Sequence, residues 1–154
     1  MNELNGYDIE DLAVGMTATF SKTITEADIV LFAGVSGDNN AIHINEEFAA
    51  STPFGGRIAH GFLTASVISA AIAGRLPGPG SIYLEQKMRF VAPVRPGDTV
   101  HACVTVKEIG AHRHVTLETI CRVGGKDVVI GEARVKIGSS KAREEKKSLA
   151  AAIA

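Results

Sequence analysis

The sequence predicts an α+β fold: a single domain in which an antiparallel sheet curls around one buried helix. The central segment, residues 62–73, contains no charged side chain, and a helix that is apolar on every face is normally buried. This segment is too short to cross a membrane, so other parts of the chain must enclose it. The flanking segments alternate apolar and polar residues, as strands with one buried face do. A chain of 154 residues is long enough to bury one such core.

The N-terminal part of the chain predicts one strand followed by helical segments. Apolar and polar residues alternate from Val14 to Ile24, which predicts a strand. Thr25 is expected to cap the next helix, because Asp28 stands at the position that completes a capping box. The run Gly-Asp-Asn-Asn at 37–40 should end this helix. A short helical turn is expected around residues 46–50.

The C-terminal part predicts four strands joined as an antiparallel meander, with one reversal at Gly124-Gly125. The predicted strands are Ser81–Phe90, Thr99–Val106, Val115–Val123 and Val128–Ile137. We therefore assign residues 1–138 to the domain. Residues 139–154 are charged and then alanine-rich, so we expect a flexible tail or a short helix that only Leu149 and Ile153 can anchor.

Composition excludes several classes of partner and points to one compartment. The chain has 16 basic and 17 acidic residues, a balance that argues against nucleic acid or an anionic membrane as a partner. The polar start, residues 1–5, does not have the pattern of a signal peptide. Cys103 and Cys121 lie far apart inside apolar alternations, as free thiols in a reducing compartment often do. We expect a cytoplasmic protein.

Asp38 and His43 are the first candidate functional residues. Residues five apart on a continuous helix point away from each other, but the turn-forming run 37–40 should make the chain fold back. A tight reversal can bring the carboxylate and the imidazole together around one water molecule, which suits general acid–base chemistry. Taken alone, the two residues also fit structural roles: Asp38 as a cap on its own turn, and His43 as a half-buried strand residue with a backbone partner.

His60-Gly61 is the second candidate, because it stands where the apolar helix should begin. The first amides of a helix have no intrahelical acceptor and lie at the positive end of the helix dipole. The Gly61 N–H is therefore able to donate to a developing oxyanion. The alternative is that Gly61 only lets the helix pack closely against the sheet. His60 is expected to cap the loop.

Together these motifs resemble the MaoC-like (R)-specific enoyl-CoA hydratases, which are hot-dog-fold proteins. The resemblance covers roughly residues 14–137, and Ala41 stands where many members have proline. The matching motifs are Ser36-Gly-Asp38-x-Asn40-x-x-His43, Phe48-Ala49, Arg57-Ile-Ala-His60-Gly61-x-x-x-x-Ser66 and Gly80-Ser81-Ile82-Tyr83.

The resemblance implies a role for five residues. Asp38 and His43 would activate the water that adds to C3 of a trans-2-enoyl thioester and would return a proton to C2. The Gly61 N–H would hold the thioester oxygen as it takes on enolate charge. Asn40 and Ser66 would support the loop and the wall of the site. No metal and no redox cofactor is required.

The expected activity is reversible hydration of trans-2-enoyl-CoA to (R)-3-hydroxyacyl-CoA, with an acyl-CoA thioester as substrate. The alternatives are a 3-hydroxyacyl-ACP dehydratase and a non-catalytic acyl-CoA-binding hot-dog module. An exposed sheet edge, which hot-dog proteins pair across a dimer axis, leads us to expect a homodimer or a higher homo-oligomer. The candidates for contacts with the CoA phosphates are Arg57, Arg75, Lys87 and Arg89.

Overall fold

A five-stranded antiparallel sheet and one long apolar helix form the centre of the protein. The computed structural model describes residues 6–153, with side chains through residue 151; residues 1–5, where the absence of a signal peptide was expected, and residue 154 lie outside the described part. None of the described helices is both long enough and apolar enough to cross a bilayer.

The order of elements follows the sequence prediction, with one extra short helix before the turn at residues 46–50. The strands are β1 Thr17–Thr23, β2 Ile82–Phe90, β3 Thr99–Ile109, β4 His114–Val123 and β5 Lys126–Lys136. The helices are α1 Glu26–Ser36, α2 Ala41–Ile44, α3 Glu46–Ala50, α4 Gly61–Gly74 and α5 Ser140–Ile153, with 3-10 turns at Ile9–Asp11 and Ala111–Arg113.

The predicted meander is wrong in its strand order. The sheet runs β1-β3-β4-β5-β2, so β2 pairs with β5 at one edge and β1 pairs with β3 at the other. Alternation tells which face of a strand is buried, but it does not tell which strand lies beside it. The connection from β2 to β3 instead crosses to the other half of the sheet, which leaves β1 and β2 as edge strands.

The core lies between α4 and the inner face of the sheet. The predicted inward residues of β3 are almost completely buried: Val100, Ala102, Val104 and Val106. Helix α4 buries seven residues against them, but one stripe of the helix remains open to solvent, contrary to the expectation of a helix enclosed on all sides. The residues of this stripe are Phe62, Ser66, Ser69 and Ala73.

Strand β2 is also more exposed than its alternation predicts. The alternation of β2 predicts that Ile82 and Leu84 face the core, yet they are 57% and 44% exposed. The register with β5 shifts between Tyr83 and Glu85, and such a bulge changes the direction of the side chains beyond it. Because β2 is also the last strand of the sheet, this edge carries unpaired backbone groups together with exposed apolar side chains.

The C-terminal segment is a 14-residue helix, α5, and polar contacts rather than apolar anchors hold its start. Leu149 is 64% exposed, so its predicted role as an anchor is wrong, and the side chain of Ile153 lies outside the described part. Glu10 instead accepts hydrogen bonds from Ser139 Oγ at 2.5 Å and from the Ser140 N–H at 3.1 Å. The Arg143 guanidinium donates to both carboxylate oxygens of Asp8.

These contacts predict that the docking of α5 depends on pH. The hydrogen bond from Ser139 lowers the pKa of Glu10 from 4.5 to about 2. Because the folded pKa is the lower one, the contribution to stability is complete above 4.5 and is lost as the pH falls toward 2. We expect Glu10→Gln to reduce the hydrogen-exchange protection of α5 at pH 6. This difference from the wild type should shrink in acid, and a constant difference across that range would contradict the assignment.

Ile68 of α4 is 1% exposed, so the loss of stability should increase with the number of carbon atoms removed from its side chain. Ile68→Ala should lower the free energy of unfolding by about 2–5 kcal/mol, because it removes buried methyl groups and leaves a cavity. The matched variant Ile68→Val should lower it by only about 0.5–1.5 kcal/mol. Urea denaturation measures both values. An equal, small effect of the two variants would contradict the placement of Ile68 in the core.

Candidate active site

Helix α1 and the turn after it place Asp38. The expected capping box is present: Thr25 Oγ1 accepts the Asp28 N–H at 3.1 Å, and Asp28 Oδ2 accepts the Thr25 N–H at 2.8 Å. The helix ends at Gly37, whose φ of 76° lies in the left-handed region that glycine adopts without strain. The reversal that the sequence predicts at residues 37–40 is therefore confirmed.

Asp38 has both of the properties that the sequence left as alternatives: it caps its own turn, and its carboxylate faces His43. Its Oδ1 accepts the Asn40 N–H at 3.2 Å, which is the expected cap on its own turn. Its Oδ2 lies 4.0 Å from His43 Nε2. The carboxylate is thus held by one oxygen while the other faces the imidazole, and its side chain is 51% exposed, so water can reach it.

His43 lies on the short helix α2 and not on a strand, which corrects that part of the structural alternative. Asn40 Oδ1 caps α2 by accepting the Ile42 N–H at 3.2 Å. His43 is 8% exposed, and its Nδ1 lies 2.8 Å from the Ile58 carbonyl oxygen. A carbonyl only accepts, so Nδ1 carries a hydrogen, and in the neutral ring Nε2 is the nitrogen that can accept a proton.

The gap between Asp38 and His43 suits a shared water. At 4.0 Å the two atoms are too far apart for a direct hydrogen bond, but a water oxygen can lie roughly 2.8 Å from each of them. A water held in this way has a proton acceptor at His43 Nε2 and a second acceptor at the carboxylate. This arrangement can remove a proton from water and then donate a proton to an atom of a bound substrate close by.

Gly61 begins helix α4, as predicted. Among residues 6–153, no protein group accepts a hydrogen bond from its N–H, as expected for the first amide of a helix. A Cβ at this position would lie 2.9 Å from the Phe90 ring, so the close approach of that ring favours glycine here. Gly61 therefore allows the close approach of the Phe90 ring and also leaves its N–H available to a ligand.

His43 and Gly61 open onto one cavity of 440 Å³. The remaining lining is mostly apolar and consists of Phe54, Ile58, Ala59, Phe62, Thr64, Phe90, Val91, Ala92, Pro93, Val94 and Val129. A cavity of this kind accepts an apolar chain, and its few polar groups are placed to orient a reacting end.

His60 is the residue that the sequence reasoning undervalued. It is 1% exposed, and its ring stacks on the ring of His43 with centroids 3.9 Å apart. Its side chain does not cap α4; its Nε2 lies 3.0 Å from the Asp38 carbonyl oxygen instead. The only sequence signal was its place directly before Gly61.

Ser66 is not part of the cavity lining. It lies on the exposed stripe of α4, and its hydroxyl donates to the Leu63 carbonyl at 2.6 Å. Its supporting role in the site therefore stays a prediction.

Arg57, a candidate for contacts with the CoA phosphates, forms salt bridges within the protein. It donates to both carboxylate oxygens of Glu26 at 2.8 and 2.6 Å and to Glu46 at 2.9 Å, so it joins α1 and α3 and is not free to bind a phosphate. Hydrogen bonds to Glu26 and then to Glu46 raise the pKa of Arg57. This clamp holds the loop that leads to His60.

Asp38, His43 and His60 each offer a potential metal-ligand atom, and these atoms lie within 4.8 Å of one another; the described residues contain no other group of three. The two imidazoles stack with an interplanar angle of 30°. Lone pairs of imidazole lie in the ring plane, so two stacked rings do not direct them at one ion. The geometry favours a water site over a metal site.

Comparison with known proteins identifies the family of the chain. The sequence model of the MaoC-like domain matches residues 12–128. An (R)-specific enoyl-CoA hydratase of Rhodospirillum rubrum is 52% identical over 129 residues, which cover 83% of this chain and 90% of that protein. A 3-hydroxybutyryl-CoA dehydratase of Methylorubrum extorquens is 50% identical, with coverage of 88% and 87%.

A solved structure gives the same result for the fold. The unliganded R-hydratase PhaJ1 of Pseudomonas aeruginosa superposes with a TM-score of 0.84 at 42% identity, over 89% of each chain. The curled sheet around α4 is thus the expected hot-dog fold, and the chain belongs to the MaoC-like domain family.

Proposed function

We propose that this protein catalyses the reversible hydration of trans-2-enoyl-CoA to (R)-3-hydroxyacyl-CoA. The observation that carries the proposal is the pair of Asp38 Oδ2 and His43 Nε2, separated by 4.0 Å beside an apolar cavity. The relatives from Rhodospirillum rubrum and Methylorubrum extorquens bear the names of the same reaction in its two directions. The protein is accordingly a hydro-lyase.

The pair activates a water molecule and then supplies the proton. As the water oxygen forms its bond to C3, one water O–H bond breaks and the proton passes to the Asp38–His43 pair. The electrons of the C2=C3 double bond move toward the thioester and form an enolate. The pair then returns a proton to C2, so that one water is added in total and neither side chain is changed.

The Gly61 amide stabilises the charge that develops on the thioester oxygen. Its N–H is free of protein acceptors within the described residues, and it lies at the positive end of the α4 dipole. A donor that is already fixed in place stabilises an oxyanion more than the neutral carbonyl. Asn40 contributes indirectly, because it caps the helix that carries His43.

The functional unit is a homodimer in this proposal. The exposed edge strand β2 carries Ile82 and Leu84, and an unpaired apolar edge is the kind of surface that pairs with a second chain. Light scattering after gel filtration should give twice the mass of one chain. Leu84→Arg should shift that mass toward the monomer, and an unchanged mass would argue against this edge as the interface.

The proposed compartment is the cytoplasm. Cys103 and Cys121 are both free, and burial raises the pKa of Cys121 to about 12, so this thiol stays protonated and unreactive. Free thiols are typical of proteins that work in a reducing environment.

Crotonyl-CoA tests the proposed activity directly. The purified protein should remove the absorbance of the enoyl thioester, and an (R)-specific 3-hydroxyacyl-CoA dehydrogenase should oxidise the product. The double variant Asp38→Asn/His43→Gln is the control for a contaminating hydratase. Release of free CoA thiol would indicate a thioesterase instead, and binding of enoyl-CoA of every length without turnover would indicate a binding module.

A further inference from the structure

The His60 ring contacts two other rings beside the Asp38–His43 pair. The Phe32 ring, from α1, packs against it with centroids 4.9 Å apart and planes tilted by 55°. The His43 ring, from α2, lies on it with centroids 3.9 Å apart and planes at 30°. His60 therefore joins α1, α2 and the start of α4 at the point where the candidate catalytic groups meet.

The hydrogen bond of His60 reaches the second member of the pair. Its Nε2 lies 3.0 Å from the Asp38 carbonyl oxygen, and a carbonyl only accepts, so Nε2 carries the hydrogen. Within residues 6–153, this is the only hydrogen bond that joins the turn at 37–40 to the residue directly before α4. All the other hydrogen bonds of that turn stay within the turn or go to α1 and α2.

The other ring nitrogen of His60 shows that packing alone does not explain this residue. Nδ1 is buried and has no hydrogen-bond partner among the described groups. Buried polar atoms without a partner are rare, because they lose their contact with water and gain nothing in return. A phenylalanine or leucine would fill much of the same space without this cost, so the imidazole has to be explained by its Nε2–H.

We propose that His60 is a positioning residue for the Asp38–His43 pair, an inference that rests on the proposed hydration. Its Nε2–H fixes the backbone of Asp38, and this hydrogen bond, rather than the contact of its face with the His43 ring, carries most of the effect. Because His60 directly precedes Gly61, the same residue also ties the pair to the amide that holds the thioester oxygen. One side chain thus sets the spacing of all three groups.

The expected consequence is a loss of rate rather than a loss of substrate affinity. The gap of 4.0 Å between Asp38 and His43 leaves room for one water, and a displacement of about 1 Å in such a site can cost about 10²-fold in rate. Since His60 is not among the residues that line the cavity, its replacement should leave the contacts with substrate intact.

Two variants separate the hydrogen bond from the ring stack. His60→Phe keeps an aromatic ring but loses the donor, and we expect kcat for crotonyl-CoA to fall about 10²-fold with KM changed less than about 3-fold. His60→Gln loses the ring but can place an amide N–H near the Asp38 carbonyl, so its kcat should stay within about 10-fold of the wild type. The matched control is His101→Phe, which should retain full activity. His101 is an exposed histidine on a strand, and its ring is hydrogen-bonded to Ser21.

A coupled variant distinguishes positioning from a general structural effect. In the Asp38→Asn background, His60→Phe should lower kcat by less than about 3-fold, because the pair it positions is already disabled. A full 10²-fold loss in that background would overturn the proposal. So would a His60→Phe enzyme with normal kcat, or one whose loss lies entirely in KM.

The outcome also separates this inference from the proposed function. If the wild type does not hydrate crotonyl-CoA, the function itself is wrong. If the wild type is active and His60→Phe is unaffected, only the role of His60 is wrong. If His60→Phe does not fold, His60→Gln still decides: a folded His60→Gln protein with a 10²-fold loss of kcat would contradict the importance of the hydrogen bond.

Discussion

Asp38→Asn is expected to lower kcat for crotonyl-CoA hydration by about 10²–10⁴-fold, the range that general acid–base groups contribute. Asparagine keeps the shape of the side chain, and its amide oxygen can still accept the Asn40 N–H that orients Asp38. It removes the negative charge and the proton acceptor that face His43 Nε2. Steady-state kinetics with crotonyl-CoA measure the effect, and KM should change by only a few-fold.

Asp127→Asn is the matched control for this experiment. Asp127 is an exposed carboxylate that pairs with Arg122 at 2.8 Å and does not line the cavity, so its replacement should leave kcat unchanged. A folded Asp38→Asn enzyme with near-normal kcat would contradict the proposed role of the Asp38 carboxylate. So would a loss that appeared only in KM.

Gly61→Pro is expected to lower kcat by about 10²–10³-fold relative to Gly61→Ala, because only proline removes the N–H proposed as the oxyanion donor. Proline is well tolerated at the first position of a helix. The preceding residue, His60, has φ −56° and ψ 137°, which is the extended conformation that a residue before proline adopts. The helix can therefore accept the substitution.

Gly61→Ala controls for the side chain itself. A Cβ at position 61 approaches the Phe90 ring to 2.9 Å, and both variants introduce this contact. The steric loss from the Cβ is thus shared, and the ratio of the two kcat values reports chiefly the loss of the amide hydrogen. Equal kcat values for the two folded variants would show that the Gly61 N–H does not stabilise the transition state.

Local sequence signals predicted the elements that build the site. The Thr25–Asp28 capping box, the reversal after Gly37 and the start of α4 at Gly61 each depend on residues close together in the chain. For this reason the sequence could predict that the side chains of Asp38 and His43 lie close together. The assignment of His43 to a helix was not predictable, because α2 has only four residues and no periodicity to detect.

The other features that the sequence did not reveal depend on contacts between distant segments. The pairing of β2 with β5 is a choice among strands whose alternation looks alike. Arg57 reaches Glu26 and Glu46 across 31 and 11 residues, and nothing local distinguishes it from a surface arginine. The same is true of His60, whose partners in α1, α2 and the turn become visible only in three dimensions.

The double variant Asp38→Asn/His43→Gln provides the most direct test of the central claim, that the two side chains act on one water as a unit. Each single variant should lower kcat by about 10²–10⁴-fold. The double variant should be less than about 10-fold slower than the slower single variant, because groups that act together are strongly non-additive. If the two losses multiply instead, the side chains contribute independently and the shared-water account is contradicted.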